Sequence, residues 1–116
     1  MKAADFKPPA LARETFPLPY QGGTVDVIVR ALLLTERLTV RQQVAKLAKD
    51  LSLDDSLVLM VPRLLAIAVV DEDGKPLMTH EQWNEFGSAH PTTALELFNK
   101  ASDLSGFSVE DAEKNS

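Results

Sequence analysis

A mainly α domain of about five helices, with an N-terminal extended arm and a β-hairpin as a minor α+β component, is the fold that this sequence predicts. Three observations carry that expectation. Pro8, Pro9, Pro17 and Pro19, with the pair Gly22-Gly23, punctuate the start of the chain. A single β-branched segment, Thr24 to Arg30, then places Val25, Val27 and Val29 on one face. Beyond it, apolar residues recur at helical spacing. The expected layout is one domain over 1–116, with the arm over 1–12, the hairpin over 13–30 and the helical region over 35–115.

Each element has its own local reason. Pro8 and Pro9 fit an extended arm, because proline joins neither a helix interior nor a central ladder. Arg13 to Leu18 reads as an edge strand, and Gln21-Gly22-Gly23 as the turn into the strand Thr24 to Arg30. Thr39 and Gln42 have capping-box spacing, and Val40, Val44, Leu47 and Leu51 follow as one helical stripe, with a start a turn earlier near Thr35 also compatible. Ser52 and Asp55 repeat that spacing and open the apolar run Leu57 to Val70, which carries one charge, Arg63, and one helix breaker, Pro62. The run is too short for a membrane span of about 20 residues. It reads as a central core helix that Pro62 kinks or splits.

The acidic turn Asp71-Glu72-Asp73-Gly74 ends that run. Thr79 and Gln82 form a further capping box, with Met78 and Trp83 at the two positions of a hydrophobic staple, so a short helix is expected through Phe86, with Gly87 as its left-handed terminator. Pro91 suits the first position of the next helix, whose stripe is Ala94, Leu97, Phe98, Ala101 and Leu104. Gly106 closes it, and Ser108 with Asp111 starts a last short helix toward Lys114.

Composition narrows the function. The chain has no cysteine, hence no disulfide, thiolate nucleophile or Cys-bound zinc. Its N-terminus, Met-Lys-Ala-Ala-Asp-Phe-Lys-Pro-Pro, has no apolar core of a secretory signal. Net charge is −5, divided unevenly: residues 1–50 carry eight Lys/Arg against five Asp/Glu, and residues 51–116 carry four against twelve. That balance argues against nucleic acid as a partner, although Arg37, Arg41, Lys46 and Lys49 form a local basic patch of the kind that usually belongs to a solvated helix face.

No catalytic constellation is present in the sequence. His80 and His90 lack the spacing of a metal pair. Nucleophile-elbow, P-loop and dinucleotide fingerprints are absent, so no enzyme, cofactor or metal is expected. The carboxylates at Asp54-Asp55 and Glu110-Asp111-Glu113 suit helix N-termini, and Asp71-Glu72-Asp73 lacks calcium-loop spacing. Trp83, Phe86 and Phe98 are aromatic anchors for either a core or a partner.

The order of these features resembles a known family. A Gly-Gly turn leads into the strand Val25 to Arg30, then Leu-Thr-Glu-Arg at Leu34 to Arg37, then an apolar helix ending at Val70. Asp-Gly-Lys-Pro-Leu-Met-Thr-His-Glu-Gln-Trp (Asp73 to Trp83) follows, and Leu97 to Asn115 closes the pattern. This layout, over roughly residues 14–115, resembles the tail assembly chaperones of long-tailed bacteriophages. The resemblance implies a mostly helical protein of the host cytoplasm, absent from the mature virion. It would bind and solubilise the tape measure protein and help recruit the major tail tube protein, with self-association among its expected contacts and no membrane or nucleic acid. Members of the family are often also made as a longer frameshifted product, and the codons of Lys114-Asn115 can read as a slippery run.

For such a role, an apolar groove on an amphipathic helical module would cover a client helix, and many copies along one client would gain by avidity. The candidate partner-binding residues are Leu65, Val69, Trp83 and Phe86 as groove, with Arg37 and Arg41 as rim charges. A small helical DNA-binding regulator using Arg37 to Lys49, and a structural tail subunit, are the competing readings.

Overall fold

The computed structural model describes residues 1–49 and 53–106. After a single 3-10 turn at Ala3–Asp5, β1 (Arg13–Tyr20) and β2 (Gly23–Arg30) form an antiparallel hairpin in which Phe16 lies opposite Val27 and Leu18 opposite Val25. The pair Tyr20 and Gly23 closes a two-residue turn made by Gln21 and Gly22, both at positive φ, 47° and 78°. Two consecutive left-handed residues make the primed turn whose twist matches that of paired strands.

The strand prolines have a directional meaning. The amide of Ala31 donates to the carbonyl of Ala12 at 2.8 Å, continuing the ladder past Arg13 and Arg30. Backbone polar groups alternate in direction along a strand, so the even-numbered residues of β1 face β2 and the odd-numbered ones face the open edge. Pro17 and Pro19 are odd. They cost the hairpin no donor and remove two donors from the free edge, which discourages another strand from adding there.

Four α-helices follow among the described residues: α1 (Leu34–Leu47), α2 (Leu53–Ala68), α3 (His80–Ala89) and α4 (Pro91–Leu104). The fold is α+β, which corrects the expectation of a mainly helical, five-helix domain. The reason lies at the end of α2. Helix ends at Ala68, and Val69–Val70 become β3, pairing antiparallel with Ile28 and Val29 of β2 to complete a three-stranded sheet in the order β1-β2-β3. Both residues are β-branched, and the edge of β2 offers each a ladder partner. The far side of β3 is covered in turn, with Val70 bridging Pro76 and the Leu77 amide donating to Val69 at 3.1 Å. The fifth expected helix, Ser108 to Lys114, lies outside the described residues, as do Leu51 and Ser52.

Other boundaries moved for local reasons. α1 begins at Leu34, where Glu36 accepts the Leu33 amide at 2.8 Å, and Thr39 sits inside the helix with its hydroxyl donating to the Thr35 carbonyl. Pro62 is accommodated within one continuous α2. α3 has the expected box, with the Gln82 amide donating to Thr79 Oγ1 at 3.2 Å and the Thr79 amide to Gln82 Oε1 at 2.9 Å, but it runs through Gly87 to Ala89. Asp71 Oδ1 accepts the amides of Asp73 and Lys75 at 2.8 and 3.0 Å, so the first acid of the turn shapes its backbone.

One core joins the two layers. Leu18, Val27 and Val29 from the hairpin meet Leu64, Leu65 and Ala68 of α2, Val69, Trp83 of α3, and Ala94, Leu97, Phe98 and Ala101 of α4. α4 lies on β1 and β2, with Lys100 bound to Glu14 at 2.8 Å across that contact, while α2 packs on all three other helices. The hydrogen bond to Glu14 holds the Lys100 ammonium above its ordinary range.

Candidate functional site

A concave surface among the described residues lies where α2, α3 and α4 converge. It is an open depression of about 260 Å³. One wall is Val58, Val61 and Pro62 of α2, another is Asn84, Gly87 and Ser88 of α3, and the third is Pro91, Ala94 and Leu95 of α4. Trp83 contributes the floor at 1% exposure. Val58 and Leu95, at 66% and 54% exposure, stand at the rim as apolar side chains in water.

Helix geometry explains the opening. Residues three and four apart share a face, so Asn84, Gly87 and Ser88 present one short strip of α3, and Gly87 has no side chain to fill the space before α4. A Cβ built there lies 3.5 Å from the Cβ of Ala94, an ordinary contact distance. Pro91 starts α4 directly after His90, which keeps the two helices close at that end. Asn84 and Ser88 are the polar members of the wall, and the Ser88 hydroxyl donates to the Asn84 carbonyl at 2.9 Å. The carboxyl of Glu81, at the start of α3, is held below its ordinary range, first by its own backbone amide and to smaller extents by His80, Thr79 and Arg63.

The structure does not gather the six residues expected from sequence into one surface. Leu65 and Val69 have no exposure at all and belong to the interior. Trp83 reaches the groove only as its floor. Phe86 is half-buried on α3, edge-on to Trp83 with centroids 5.2 Å apart and tilted against His90 at 5.0 Å. Arg37 is half-buried and donates to the Ser105 carbonyl at 3.4 Å, which ties α1 to the end of α4, whereas Arg41 is exposed on α1. Leu65 and Val69 thus line no surface groove, and the depression is lined instead by Val58, Leu95 and their neighbours. Sequence reasoning missed Val58 and Leu95 because apolar spacing does not separate them from the core: Leu95 follows the buried Ala94, and Val58 lies in the same apolar run as the buried Leu64 and Leu65.

Chemically this is a place for apolar side chains. Among the described residues no group of three or more His, Asp or Glu side chains is arranged to hold a metal, and no helix is long and apolar enough to cross a membrane. Compared with family models, with curated proteins and with solved structures, the chain gives no match in any of the three.

Proposed function

We propose that this protein is a tail assembly chaperone of a long-tailed bacteriophage, a binding protein without catalysis that acts in the host cytoplasm. In this reading it covers apolar helical segments of the tape measure protein until tail tube subunits polymerise around them, and it leaves before the virion is complete. The residue layout that resembles this family supports the reading, and so does one observation: an apolar depression between three helices, rimmed by Val58 and Leu95 in water. A groove of that kind takes the apolar face of an amphipathic helix. Many weak contacts along one long client would sum by avidity and still be displaced one at a time.

Co-expression tests it. The tape measure protein of the same phage is expected to be soluble with the wild-type chain and largely insoluble without it. Ser88→Trp, which fills the groove from an exposed position, and Leu95→Asp, which charges its rim, are expected to return it to the pellet while leaving the chaperone folded. A client equally soluble in all four conditions would overturn the proposal.

A further inference from the structure

We propose that the exposed face of α1 is a second docking surface, built for a helix of another protein that carries an apolar stripe bordered by carboxylates. α1 has two apolar sides. Val40 and Val44 are buried, and the helix packs on α2. On another side, Leu34, Leu38, Arg41 and Ala45 recur at intervals of four, three and four, and all four are exposed. Leu34 is 80% exposed and Leu38 55%. Single exposed leucines are ordinary, whereas a contiguous row marks an interaction surface. The interval pattern is the seam by which two helices pack side by side.

Charge selects the partner. Glu36 is the only acid in α1 and is engaged by Arg30. Arg41 within the row, and Lys46 on the exposed side of the same helix, therefore leave the exposed side of α1 positive on a chain of net charge −5. A partner helix with Asp or Glu beside its apolar stripe matches both features. A second copy using the same face would set one positive surface on another, since a two-fold contact joins a patch to itself, residue i of one copy meeting residue j of the other. A phosphate backbone would leave the leucines without a counterpart. The surface lies on a different element from the groove, so the inference goes beyond the chaperone reading and survives its failure.

The test is fluorescence anisotropy with the full chain and two labelled synthetic helical peptides, both with leucines at four-three-four spacing, one flanked by glutamates and the other by lysines. The glutamate peptide is expected to bind at least about ten-fold more tightly than the lysine peptide. Leu38→Asp, at an exposed position, is expected to weaken it by about ten-fold or more, and Arg41→Glu to reverse the preference. Leu95→Asp in the groove is expected to leave binding unchanged, which separates the two surfaces. Equal or absent binding of both peptides, or no effect of Leu38→Asp, overturns the proposal. So does a concentration-dependent dimer in sedimentation that Leu38→Asp abolishes, or displacement of the peptide by duplex DNA at physiological salt.

Discussion

Arg30, the last residue of β2, holds Glu36 in the first turn of α1 through two parallel hydrogen bonds, Nη1 to Oε1 at 2.8 Å and Nη2 to Oε2 at 2.7 Å. The same guanidinium donates to the Ala31 carbonyl at 3.0 Å, and Glu36 Oε1 also accepts the Leu33 amide. One ion pair thus fixes the three residues that turn the chain from sheet to helix. It also satisfies the Leu33 amide at the helix start, the half of a capping box that the side chain at the third helical position supplies.

Breaking that pair is expected to cost stability in a pH-dependent way. A two-pronged, three-quarters-covered pair is worth about 1 kcal/mol, so Glu36→Gln should lower the unfolding free energy by roughly that amount at neutral pH. The carboxyl is held below its ordinary range, first by the Arg30 hydrogen bonds, then by the Leu33 amide and the Arg30 charge, against the opposing effect of burial. Because the folded value lies below the unfolded one, the contribution is complete above the ordinary carboxylate value of about 4.5 and disappears as pH falls through the folded value. Denaturation curves of wild type and Glu36→Gln are expected to differ at pH 7 and to converge in acid. A constant gap at every pH would count against the ion pair as the source.

The capping box of α3 gives a second expectation. Thr79→Ala removes the acceptor of the Gln82 amide at the start of the helix that carries Trp83, and such losses cost about 1 kcal/mol. Thermal melts followed by circular dichroism should show Thr79→Ser near wild type and Thr79→Ala clearly lower. Equal melting of the two would mean that the cap contributes nothing.

Gly87 makes the opposite case. It lies within α3 and has no positive φ, and an added Cβ would touch Ala94 at an ordinary 3.5 Å. Gly87→Ala is therefore expected to stabilise the protein by about 0.5–1 kcal/mol through helix propensity and a less mobile unfolded chain. It also shrinks the groove. A variant that melts higher yet holds its client less well would separate the two roles of this glycine.

Legibility followed the range of the interaction. The hairpin turn at Gln21-Gly22 and the box at Thr79-Gln82 are settled by residues within four positions of one another, and a local reading reaches them. Val69 and Val70 are different: their neighbours continue a helix, and only the edge of β2, some forty residues earlier in the chain, makes them a strand. The groove shows the same limit. Apolar spacing identifies the helix faces around Leu65, Trp83 and Leu97, but which residue of a wide apolar arc reaches water is decided by how three helices meet. Gly87 is a further instance, because its value as a helix terminator or as a spacer depends on Ala94 across the contact.

Among the described residues, two buried polar atoms have no hydrogen-bond partner, Trp83 Nε1 and Ser102 Oγ, and they lead to contrasting expectations. Ser102 lies in α4 at 1% exposure, beside the fully buried Ala101. Its hydroxyl was desolvated on folding without replacement of its water contacts, a penalty of about 1–3 kcal/mol. Alanine removes that penalty, leaves little cavity and favours helix, so Ser102→Ala is expected to raise stability by about 1 kcal/mol in urea titrations. Trp83→Phe removes an unpaired donor as well, but it also withdraws a ring from the floor of the groove and from its edge contact with Phe86. The cavity should outweigh the relieved N–H, and the net change is expected to be a loss of about 1–2 kcal/mol, against about 3–5 for Trp83→Ala. A stability loss in Ser102→Ala would show that the hydroxyl is satisfied in solution, most simply by a buried water between α4 and its neighbours.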